Sequence, residues 1–125
     1  DAPYLGFQLG SMWYISLDYI NHQTSLNGVQ AQEDPDGKIR IVVSDGNPGV
    51  TNWVETLGHV KGFLQFRWQR VSRPLTVADG PDVEVVDLAS VADRLPYFSG
   101  NAISAANWRA RIALRQRQIA DRMVG

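Results

Sequence analysis

The chain contains no cysteine and only two histidines in 125 residues. The first absence excludes a disulfide scaffold, a thiolate metal site and a cysteine nucleophile. The second leaves His22 and His59 as the histidine candidates for acid–base chemistry near neutral pH. No apolar run approaches the roughly 20 residues needed to cross a bilayer, and Asp1-Ala2-Pro3-Tyr4 has neither the basic start nor the apolar stretch of a signal peptide. Net charge is almost absent: 12 Lys plus Arg against 13 Asp plus Glu leave −1, which speaks against nucleic acid or a membrane surface as the general partner. Also missing are the Gly-x-Ser-x-Gly elbow, the Gly-x-x-x-x-Gly-Lys phosphate loop and the Gly-x-Gly-x-x-Gly fingerprint.

What is present is an ordinary globular composition, 44% hydrophobic, enough for one core. The chain starts at Asp1 without a methionine and is aromatic by Tyr4 and Phe7, so it reads as the C-terminal fragment of a longer protein, residues 1–125 forming one domain. The lack of cysteine and of any Asn-x-Ser/Thr acceptor points to a cytoplasmic protein. Charge is segregated along the chain: residues 1–36 hold five acids and no Lys or Arg, whereas 109–122 hold Arg109, Arg111, Arg115, Arg117 and Arg122 against Asp121. The two regions either face each other or present the basic one to a partner.

Period-2 alternation runs through the first two-thirds. It predicts a strand over 12–18, with Trp13, Ile15 and Leu17 on the buried side, a weaker strand over 25–32, and another over 38–44. Asp34-Pro35-Asp36-Gly37 between the last two predicts a hairpin turn. Further strands are expected over 63–71 and 83–88. Trp13, Trp53, Trp68 and Trp108 are expected in the core. A short helix over 88–95 follows Asp87 as N-cap and stops at Pro96. Ser104 caps a second, over about 104–123, whose stripe of Trp108, Ile112, Ile119 and Met123 has Arg115 inside it and Arg111 and Arg122 along its border. Short strands separated by Gly, Pro, Asn and Asp, with helices only at the end, predict a mainly β fold, an antiparallel sandwich or barrel with a short helix and a C-terminal amphipathic helix.

The order Trp13-Tyr14-Ile15-Ser16-Leu17, Ser25-Leu26-Asn27-Gly28-Val29-Gln30-Ala31, Asp36-Gly37, Asn47-Pro48-Gly49, Asn52-Trp53, Gly58, Gly62 and Arg67-Trp68 resembles the bacterial domain of unknown function numbered 1214. That domain is often the C-terminal module of longer proteins, sometimes with the domain of unknown function numbered 1254. The resemblance implies a jelly-roll-like β-sandwich and no settled chemistry.

Candidate sites are few. Asn27, Gln30, Asn52, Trp53 and Arg67 form a set of amides, one indole face and one guanidinium of the kind that binds sugars, carboxylates and phosphonates, although the same residues also serve as turn caps, core and ion-pair partners. His59, in a loop bracketed by Gly58 and Gly62, would need Asp45 or Glu55 beside it to act as a hydrolase-like general base. Glu33, Asp34 and Asp36 lack the ligand spacing of a calcium loop and read as a turn. No metal or cofactor is expected. The reading is therefore a module with no diagnostic catalytic motif that binds a small polar or anionic ligand, or packs against its parent protein or a second copy through the C-terminal helix, with a His59 hydrolase and an interaction domain whose basic helix grips an acidic partner as rivals.

Overall fold

The computed structural model describes residues 4–69 and 71–124; Asp1 and the side chain of Met123 lie outside what is described. Its architecture is mixed α/β. Strands β1 (Tyr4–Ser11), β2 (Ser25–Asn27) and β5 (Gly62–Gln69) form an antiparallel sheet in the order β2-β1-β5, and β3 (Val42–Ser44) and β4 (Trp53–Glu55) form a second, parallel pair. Two one-turn helices, α1 (Val91–Arg94) and α2 (Phe98–Asn101), precede the long helix α3 (Ala105–Val124). Two small sheets with this helical C-terminal third do not make the jelly-roll-like β-sandwich expected from the sequence.

The reasons lie in particular residues. Alternation over 12–18 does not become a strand, because Met12, Trp13, Tyr14 and Ile15 form an exposed knuckle with Tyr14 in the left-handed region at φ 61°. Backbone bonds from Ser11 N to Ile15 O and from Tyr14 N to Ser11 O close it, and the Tyr14 ring stacks on Phe63 at 4.3 Å. Trp13 is thus 77% exposed rather than core, and Trp68 is half-buried. Only Leu17 of the expected buried side is in the core.

The hairpin forms its turn but not its ladder. Gly37 takes φ 83° and donates to Asp34 O at 2.9 Å, and Asp34 N donates to Lys38 O at 2.8 Å. Beyond that the strands are not paired with each other. Asn27 Oδ1 accepts from Val29 N and Gln30 N, which ends β2 in a turn. The Asn52 side chain takes the place of ladder bonds between the two arms: its Oδ1 accepts from Gln32 N at 2.8 Å, and its Nδ2 donates to Gln32 O at 2.7 Å and Arg40 O at 3.1 Å. β3 pairs with β4 instead, and Trp53 Nε1 donates to Ser44 O across that pair. Residues 83–88 are not a strand. Val83 and Val85 are exposed and no neighbouring strand pairs with them, so alternation alone had nothing to bury.

The strand β5 and the long helix follow the sequence closely. Opposite residues in an antiparallel pair share a face, so Leu5↔Trp68, Phe7↔Phe66 and Leu9↔Leu64 set one face of the sheet. Phe7, Leu9, Leu17, Leu26 and Val54 form a core there, with Phe66 packed edge-on to Phe7 at 4.5 Å. Helix α3 begins with Asn107 N donating to Ser104 Oγ, and Trp108 packs on Trp53 at 5.0 Å in a second core with Val50 and Ile112. The short helix over 88–95 is a 3-10 turn running into α1, and Asp87 closes it through its backbone carbonyl, not its side chain.

Two outcomes test this packing. Trp108→Ala should cost about 3 to 5 kcal/mol in chemical denaturation by emptying the space against Trp53, whereas Arg117→Ala, on the exposed face of α3, should stay within about 0.5 kcal/mol. The Arg73 guanidinium, bonded to both oxygens of Asp79, holds that carboxyl well below the ordinary value of 3.8. A depressed acid contributes stability above its unfolded pKa and loses it as pH falls through the folded one, so Arg73→Ala should bring the Asp79 titration, followed by carbon-13 NMR, back up toward 3.8.

Candidate functional site

The sheet face opposite the core is polar, and its register decides which side chains share it. Gly6 stands between Asn27 and Arg67, and Gln8 between Ser25 and Gln65. Gly6 carries no side chain, so the row is open at that point. Beside this face runs α3, which contributes Arg115, Gln118, Ile119 and Arg122, and together they enclose an open groove of about 370 Å³. That volume is at the low end of what small-ligand sites occupy, about 300 to 1,000 Å³.

Helix α3 is held in place by guanidinium groups, not by apolar contact alone. Arg111 Nε donates to Gln23 Oε1 at 2.7 Å and its Nη2 to Gln30 O at 3.0 Å. Arg115 donates from Nε to Tyr19 O, from Nη1 to Ser25 O and from Nη2 to Ser25 Oγ. The basic helix therefore faces the acid-rich N-terminal third, yet these two arginines bind its carbonyl, amide and hydroxyl oxygens instead of its carboxylates. Burial first, and then the charges of Arg111 and Arg122, push the Arg115 pKa down from the usual guanidinium value, with Glu55 pulling the other way. Burial does the same to Arg111.

The groove offers donors in excess of acceptors. Asn27 Oδ1 and Gln30 Oε1 are taken by backbone N–H groups of the 27–30 turn, leaving their NH₂ groups without a bonded partner among the described residues. Arg67 and Arg122 have no hydrogen-bond or ion-pair partner among the described residues, although Arg40, Arg73 and Arg94 each hold a carboxylate. Among the described residues no Asp or Glu lines the groove. The arrangement suits an acceptor-rich, negatively charged guest.

Of the five ligand-binding candidates, Asn27, Gln30 and Arg67 come together here, and Asn52 and Trp53 do not. Asn52 is buried with its amide committed to Gln32 and Arg40, and buried Trp53 gives its N–H to Ser44 O, so both work as framework. Arg115, Arg122, Gln8, Gln65 and Gln118 were missed as a group. The only signal was Arg115 breaking an apolar stripe, since the register that aligns Gln8 with Gln65 is a tertiary fact.

His59 is exposed, and its ring has no carboxylate partner among the described residues. Asp45 accepts from Gly58 N and Thr56 Oγ1, while buried Glu55 is spent on His22 Nδ1 at 3.2 Å and Gln23 N at 2.8 Å. Asp34 and Asp36 are bound by Arg40, with Asn101 on Asp34. No group of three or more metal-ligating side chains occurs among the described residues, and no described helix is long and apolar enough to cross a membrane.

Framework and groove separate by mutation. Asn52→Ala should destabilise the fold by about 1 to 3 kcal/mol, read by urea unfolding, because it removes the buried amide that bonds the part-buried backbone groups of Gln32 and Arg40. Asn52 makes no bond to a groove residue, so the groove should be left intact in the folded variant.

No family model matches this chain, and no curated protein matches it. The chain is similar to the crystal structure of an uncharacterized protein from Burkholderia cenocepacia, with 32% sequence identity and a TM-score of 0.65 over 72% of this chain. It spans 24% of that protein's chain, about a quarter of its length.

Proposed function

We propose that this domain is a binding module whose groove between the polar sheet face and α3 holds a small anion with oxygen acceptors. The observation that carries this reading is the lining itself: Arg67, Arg115 and Arg122 with amide donors and, among the described residues, no carboxylate. Charged donors are the strong partners of carboxylate and phosphate oxygens, and a partly enclosed site weakens competition from water. Catalysis is not part of the reading, since neither histidine lines the groove.

The interaction-domain alternative needs the apolar stripe of α3 at the surface. Trp108 and Ile119 are instead buried against the chain's own fold, and Arg111 and Arg115 are turned inward. Those contacts favour the groove over the helix as the binding element.

Arg67→Lys keeps the charge and loses the planar fork. It should weaken carboxylate or phosphonate binding about tenfold, or 1.4 kcal/mol, in calorimetric titration. Affinity equal to that of the unaltered protein would remove Arg67 from the site. A thermal-shift screen of small carboxylates and phosphonates finds the starting ligand, because saturation raises the melting temperature by mass action.

A further inference from the structure

We propose that the groove is selective for a doubly charged oxyanion, a phosphate group or a dicarboxylate, over a singly charged one. Arg67 makes the contacts from the sheet and Arg122 from the helix, and Arg115 supplies a fixed charge in the same lining. The proposal rests on the anion-site reading above and gives it a charge class.

Three observations lead there. The first is the uncompensated charge. Among the described residues the lining carries the guanidinium groups of Arg67, Arg115 and Arg122 and no acidic side chain. Glu55, the carboxylate whose charge reaches Arg115, is already engaged with His22 and the backbone of Gln23. A single negative charge would leave most of this field unanswered, whereas a dianion answers two of the three guanidinium groups.

The second is the division of labour among the arginines. Every donor nitrogen of Arg115 is committed to Tyr19 or Ser25, so this side chain cannot swing toward a ligand or away from one. It acts as a preset positive charge. Arg67 on β5 and Arg122 on α3 are exposed and carry no bonded partner among the described residues, so both forks are free to close on oxygens from two sides. A phosphate presents three terminal oxygens and a dicarboxylate four, enough for two bidentate contacts at once; a monocarboxylate satisfies one fork and leaves the other idle.

The third is the donor bias of the amides. With their oxygens tied into the 27–30 turn, Asn27 and Gln30 present NH₂ groups beside the arginines, adding acceptor-seeking positions that a monocarboxylate would not fill.

The test is isothermal titration at constant ionic strength and pH 7.5 with inorganic phosphate, succinate, acetate and, as a neutral control, glycerol. The full chain is compared with Arg67→Gln and Arg122→Gln, whose melting temperatures, expected unchanged for exposed side chains, certify folding. Phosphate or succinate should bind at least about tenfold more tightly than acetate, and each substitution should bring the dianion down to the acetate level. Which dianion binds identifies the source of the charge. Acetate within about threefold of both dianions overturns the selectivity while leaving the anion site standing, and binding of no anion at all overturns both. Dianion binding that survives both substitutions overturns the assignment of Arg67 and Arg122.

Discussion

Arg115 sits where an amphipathic helix would normally carry an apolar side chain, and much of this molecule depends on it. On α3, Trp108, Ile112, Arg115 and Ile119 follow one another at spacings of four, three and four, so the guanidinium group is carried inward with the stripe. A half-buried cation needs its donors satisfied, and the carbonyls of Tyr19 and Ser25 do so, with the Ser25 hydroxyl. One side chain thereby ties the loop before β2 and the start of β2 to the helix, and leaves a positive charge in the lining of the groove.

The two cores divide the remaining work. Phe7, Leu9, Leu26 and Val54 hold the three-stranded sheet to the parallel pair, while Trp53 and Trp108 tie that pair to the helix. Trp53 and Val54 are consecutive residues of β4 that belong to different clusters. This short strand is the seam between the cores, and the Asn52 side chain just before it fastens the seam to both arms of the 32–40 turn.

How much of this was legible depended on whether a residue's role was local. Helix α3, its Ser104 cap, the Gly37 turn and strand β5 follow from short-range rules, and the sequence carries all of them. The sandwich expectation failed where alternation was read without a pairing partner. Val83 and Val85 alternate in open solvent, and Trp13 and Ile15 alternate along a knuckle set by the positive φ of Tyr14. β1 went unread because its side chains are interleaved with Gly6 and Gly10, which dilute the strand pattern. Those glycines have tertiary reasons: Gly6 leaves the groove open, and a Cβ on Gly10 would meet the Phe63 ring at 2.0 Å. In the site, Asn27, Gln30 and Arg67 could be named by residue type, but Asn52 and Trp53 looked alike by the same criterion and proved to be framework. Only the hydrogen-bond ledger separates them.

The pairing of β1 with β5 spans most of the first half of the chain, from Tyr4↔Gln69 to Ser11↔Gly62. The bonds from α3 reach further still, 88 residues from Arg111 to Gln23 and 96 from Arg115 to Tyr19. Contacts so distant in sequence are paid for in loop-closure entropy before they return anything, which slows folding. During synthesis β1 can meet the three residues of β2 once residue 27 is made, but its long partner β5 begins only at residue 62, and the loop before β2 waits for residue 115. Until then one edge of β1 stays unpaired and Phe7 lacks Phe66, and that interval is when this chain most depends on protection from aggregation.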